Sequence, residues 1–192
     1  MRKSETRQVI ARVKRITALN RKRGQASPLG LRESSSMTTL DFYTTTGPFT
    51  APGRHARALE SLPRELPGLA AAIPGLLIHQ QLTALYGVEH SAERKRESQL
   101  RPLEAMLDAL LALDGRPLSA AREPHLRLCG VCRHFTLLLT AALKQRGVPA
   151  RARVGFADYF KPGHFEDHWV CECWNAAQRR PLTGRLDAAA SD

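Results

Sequence analysis

The sequence predicts an α+β domain, and three observations predict it. Residues 55–113 carry apolar side chains at helical spacing, broken by proline and glycine. Residues 132–146 run without proline or glycine and are apolar on almost every side. Residues 151–156 and 168–174 alternate with the period of a strand.

Of the formal net charge of +11, residues 1–36 carry +8. The basicity therefore belongs to a tail that includes Arg12-Val13-Lys14-Arg15 and Arg21-Lys22-Arg23, and it is read as disordered and solvated. A nucleic-acid arm is the sharper alternative, and it rests on this tail alone. Met37 is the expected start of the globular pattern, which makes residues 1–36 dispensable for the fold. Residues 37–192 are then one domain, with a helical part at about 55–115 and a second part at about 125–187.

Residues 37–56, rich in threonine, glycine and proline, read as extended or turn structure. A short helix is expected from His55 to Leu62, stopped by Pro63. Residues 69–73 and 75–82 also read as helical, with Pro74 near a helix start. Residues 91–99 are charged and expected to be exposed. Leu103, Met106, Leu107, Leu110 and Leu111 recur at helical spacing. No apolar run approaches the ~20 residues needed to cross a bilayer. Four cysteines without a recognisable signal segment suggest the cytoplasm and no disulfide scaffold.

The second part carries the chemistry. Cys132 opens the long apolar helix, directly after Gly130-Val131. Lys144, Gln145 and Arg146 suit the negative end of its dipole, and Gly147 and Pro149 stop it. At a helix start, unpaired N–H groups favour a thiolate and can hold an oxyanion. Gly130 gives the approach backbone freedom and clearance. In the second strand His168, Val170, Glu172 and Trp174 share one face; Trp169, Cys171 and Cys173 share the other. Cys132 and His168 are thus a candidate nucleophile and base.

These residues resemble the transglutaminase-like superfamily, cysteine enzymes with a papain-like core. The matching pieces are Gly130-Val131-Cys132 with its helix, Gly147-Val148-Pro149-Ala150-Arg151, Val154-Gly155-Phe156 and Asp167-His168-Trp169. Leu40-Asp41-Phe42-Tyr43 and residues 74–87 are similar to the N-terminal part of bacterial members. The resemblance implies a transglutaminase-like core with an N-terminal helical extension. It implies Cys132 as nucleophile, His168 as general base and an Asp on the next strand as orienter. Here the chain departs from the family: Gln178-Arg179-Arg180-Pro181 runs on to Asp187, the one acid in position. Pro181 and Gly184 argue against a regular strand there.

Blander readings stand beside this one. An isolated Cys132 is a core thiol and an isolated His168 a satisfied strand histidine. Cys129, Cys132, Cys171 and Cys173 together supply four thiols for zinc, although Cys171 and Cys173 leave the strand opposite to His168. Cys129 is also a candidate resolving thiol in a redox pair, but no strand is evident before the motif. His134 is expected to be structural or exposed, and His79 a helix-surface or packing residue. His164, Glu166 and Asp167 are expected in a loop rimming a pocket. The expected activity is acyl transfer on a peptide or amide substrate through a thioester on Cys132, without cofactor or metal. The alternative is a non-catalytic binding domain with an incomplete triad.

Overall fold

The computed structural model describes residues 38–161 and 163–184. The basic tail, Met37 and Asp187 lie outside the described residues. Helices and strands are mixed, as expected for an α+β chain.

The first element corrects the expectation of extended chain. Helix α1, Thr39–Thr44, is short but closed at its start by a capping box. The Thr38 hydroxyl accepts from the Asp41 N–H at 3.1 Å, and the Asp41 carboxylate accepts from the Thr38 N–H at 3.0 Å. A 3-10 turn at Gly53–His55 leads into α2, Ala56–Glu60. Helix α3, Leu66–Ala72, ends in a 3-10 turn, Ile73–Gly75.

The expected helix at 75–82 is replaced by strand β1, Leu77–His79. It pairs in parallel with β2, Leu128–Gly130, in the register Leu77 to Leu128, Ile78 to Cys129 and His79 to Gly130. Leu77 and Ile78 are both buried, so the strand has no polar face. Such a run looks the same in sequence whether it becomes buried strand or buried helix. The tertiary partner, far along the chain at Leu128–Gly130, decides between them.

Helix α4, Ala92–Arg96, and a 3-10 turn at Glu97–Gln99 form the charged stretch. It is more engaged than expected. Ser98 is buried, and the Glu97 carboxylate accepts the Cys129 N–H at 2.7 Å. Helix α5, Leu103–Leu113, buries Leu103, Met106, Leu107 and Leu110, as their spacing predicts.

Helix α6, Cys132–Lys144, buries ten consecutive residues from His134 to Leu143. Gly147 adopts φ 70°, and the Val148 N–H returns to the Leu143 carbonyl at 3.0 Å. That is a glycine stop of the left-handed kind. Strands β3, Ala150–Lys161, β4, His164–Asn175, and β5, Arg180–Gly184, form an antiparallel sheet with β4 in the centre. The pairing of β5 corrects the expectation drawn from Pro181. This residue lies opposite Trp174 on an edge strand, where a missing N–H need not break the ladder.

One buried cluster joins Leu59, Leu69, Ile73, Leu107 and Leu110 to Phe135, Leu138, Leu139 and Cys171. The N-terminal helices and the α6–sheet layer therefore share a core. Each fully buried leucine contributes about 1.5–3 kcal/mol.

Candidate functional site

Cys132 is the first residue of α6 and partly exposed. Its surroundings are set by His134, two residues on. The Val131 N–H donates to His134 Nδ1 at 3.1 Å, and the His134 N–H donates to the Val131 carbonyl at 2.8 Å. His134 thus caps the helix from inside it. Burial, and then the neighbouring Arg133 charge, lower its pKa to about 4, so the ring is neutral at ordinary pH. His134 is structural and fully buried. Gly130 belongs to the same device, since a Cβ there would meet His134 Cβ and Cγ at 3.0 Å.

The other thiols differ from Cys132. Cys129 is fully buried, and burial pushes its thiol up, with the Glu97 charge adding to the effect. A strand, β2, does carry the start of the motif, contrary to expectation, but Cys129 is buried inside it and its thiol is pushed up. Burial raises Cys173 and pushes Cys171 up to about 12. Both belong to the core beside α6, as the strand alternation predicts. Among the described residues no group of three or more His, Cys, Asp or Glu could hold a metal ion. The zinc arrangement of Cys129, Cys132, Cys171 and Cys173 is therefore not assembled.

His168 lies within β4, paired with Gly155 of β3, and is buried. Two flanking contacts fix how β4 lies on α6. The Thr140 hydroxyl meets Cys171 Sγ at 3.3 Å, and the Trp174 N–H donates to the Pro149 carbonyl beyond the helix end at 2.8 Å. The helix and the strand therefore run in the same direction. Counting back from Thr140 to Cys132 spans roughly 12 Å of helix. Counting back from Cys171 to His168 spans roughly 10 Å of strand. Both residues reach the same end of the layer.

Glu172 turns the other way from Cys171. Its carboxylate accepts from Arg151 and Arg153, each at 2.7 Å, and from the Thr183 hydroxyl at 3.3 Å. Burial pushes this carboxyl up, but the hydrogen bonds from the two arginines outweigh it and leave its pKa lowered. By strand alternation His168 belongs to the Glu172 side. The cluster ties β3, β4 and β5 together.

A cavity of about 410 Å³ opens on the α6 side of the sheet, and neither Cys132 nor His168 lines it. Arg133, next to Cys132, and Trp169, next to His168, both line it. Phe42 of α1, Phe49 and Leu137 add an apolar wall, and Arg101, Arg133 and Lys144 add positive charge. Lys144 donates to the Thr45 carbonyl at 2.6 Å, and burial lowers its pKa. The 45–50 segment, read from sequence only as turn, supplies one wall. His164, Glu166 and Asp167 are exposed residues of β4 rather than loop, and none of them lines this cavity.

His79 completes the surroundings. It is a strand residue paired with Gly130, and the following Gln80 N–H donates to the Gly130 carbonyl at 2.8 Å. Its ring lies 6.4 Å from that of Phe135, one turn beyond Cys132 on α6. The sequence reading put His79 on a helix, as a surface or packing residue, and missed the strand, because the β1–β2 pairing is nonlocal. No helix among the described residues is long and apolar enough to cross a membrane.

No family model, curated protein or solved structure matches this chain.

Proposed function

We propose that the chain is a transglutaminase-like cysteine acyltransferase or amidase acting on a peptide or amide. Cys132 is the nucleophile, His168 the general base, and the N–H groups at the start of α6 the oxyanion donors. The observation that carries this reading is the place of Cys132: it is the first residue of α6 and the one cysteine of the four that is not buried. The nearby cavity is lined by its neighbour Arg133 and by Trp169, which leaves β4 on the face opposite His168.

The chemistry follows from those roles. His168 takes the thiol proton, and the sulfur attacks the carbonyl carbon. The tetrahedral intermediate collapses as the C–N bond breaks, and the imidazolium returns its proton to the leaving amine. A thioester remains on Cys132. Water or a second amine then attacks it, losing a proton to His168, and the thiol is restored. Cys132 is the first residue of α6, past the face packed against Cys171, and the pairing requires the His168 ring to reach it from the Glu172 side of β4 round the open end of the layer. The resemblance gives Asp187 as the residue that orients His168. The apolar and cationic lining suits an acyl donor with an aromatic or aliphatic side chain near a carboxylate.

The test is acyl-enzyme trapping with a p-nitrophenyl ester. A stoichiometric burst of p-nitrophenol, with the acyl mass on Cys132, supports the reading. Equal release from Cys132→Ala overturns it in favour of a non-catalytic binding domain.

A further inference from the structure

We infer that His79 is a hydrogen-bond donor to the Cys132 thiolate, a third group at the site contributed by the N-terminal half of the chain. The inference rests on Cys132 being the nucleophile. Three observations carry it. First, β1 and β2 are parallel, and His79 sits opposite Gly130, two residues before Cys132. Adjacent strands lie ~4.8 Å apart, so the imidazole has the reach to meet the start of α6. Second, the His79 ring is tilted against Phe135 at 32°, which holds it along the first turn of α6. Third, His79 Nδ1 accepts the Gln81 N–H at 3.3 Å.

The third observation settles the role. A neutral imidazole that accepts on Nδ1 carries its proton on Nε2. His79 is thereby fixed as a donor, and the tautomer a base would need is disfavoured by its own chain. His168 removes the proton, and His79 stabilises the charge that is left. The Gln80 N–H bond to the Gly130 carbonyl at 2.8 Å ties β1 to the segment that carries the thiol.

The experiment measures the alkylation rate of Cys132 by iodoacetamide against pH in the full chain. His79→Leu keeps apolar contact with Phe135 and removes the donor. His79→Gln keeps an N–H near the position of Nε2. The expected result is a rise in the alkylation midpoint for His79→Leu, with a rate about tenfold lower on the acid side of the midpoint, one pKa unit being tenfold in thiolate. His79→Gln is expected to stay within about threefold of wild type. Wild-type behaviour in His79→Leu overturns the inference. Equal losses in both variants also overturn it and make His79 a packing residue for Phe135. If wild-type Cys132 is itself unreactive below neutral pH, the functional reading fails as well. If it is reactive and depends on His168 alone, only this inference fails.

Discussion

The Thr140 hydroxyl lies 3.3 Å from Cys171 Sγ, inside the core, and this contact sets the register of α6 on β4. It determines which strand residue reaches the level of Cys132. Thr140→Val keeps the shape and removes the hydroxyl, and it is expected to cost about 0.5–1.5 kcal/mol in urea unfolding. Cys171 should remain unlabelled by iodoacetamide in the folded protein, because burial pushes its thiol up to about 12. Fast labelling of native Cys171 would contradict the packing described.

A Cβ on Gly130 would press on His134 Cβ and Cγ at 3.0 Å, tighter than ordinary contact. Gly130→Ala forces the capping histidine away from the Val131 N–H. The expected cost is about 1–3 kcal/mol by thermal unfolding, with slower alkylation of Cys132 because the helix start shifts. An unchanged melting temperature would show that the His134 cap is unimportant.

His134 should make stability depend on pH. Its folded pKa is about 4, below the ordinary histidine value of 6.5. Between those values the unfolded chain binds a proton that the folded chain does not, so stability falls as pH drops through that window. The loss is on the order of 3 kcal/mol. His134→Leu should be less stable than wild type near neutrality and show a flatter decline down to about pH 4. Parallel profiles for the two proteins would remove His134 as the cause.

Glu172 is buried, while its partners Arg151 and Arg153 are largely exposed. Glu172→Gln should cost about 1–3 kcal/mol, since the arginines can rehydrate but the strand carboxylate is lost. Its folded pKa is lowered, so its contribution is present above the ordinary glutamate range and disappears as pH falls through the folded value. The difference between wild type and variant should therefore close in acid, by urea unfolding across pH. A constant difference would mean that the cost is packing alone.

Local signals made α5, α6 and the alternating parts of β3 and β4 legible, because each has its own period; the residues 164–167, read as loop, extend β4. The segments that surround the site were not. Leu77–His79 has no polar face to betray a strand, and its partner lies far along the chain. Thr38 and Asp41 form a capping box with Asp in place of Glu, at the edge of a stretch whose threonines and glycine suggest turns. Pro181 argued against a strand that edge geometry permits. His134 gave no signal of its role, since its function is to accept one backbone N–H three residues before it. Cys132 and His168 were legible as candidates from their positions at a helix start and within a strand. The cavity on the α6 side of the sheet was not, because its walls come from five separated segments.

Cysteine alkylation against pH, resolved by mass spectrometry in wild type and His168→Ala, reads out whether Cys132 and His168 act as a pair. Cys132 alone is expected to react fast below about pH 7, and His168→Ala to remove this advantage. If Cys132 reacts in both proteins only as an ordinary thiol with a midpoint near about 8.5, no thiolate–imidazole pair exists and the proposed chemistry is wrong.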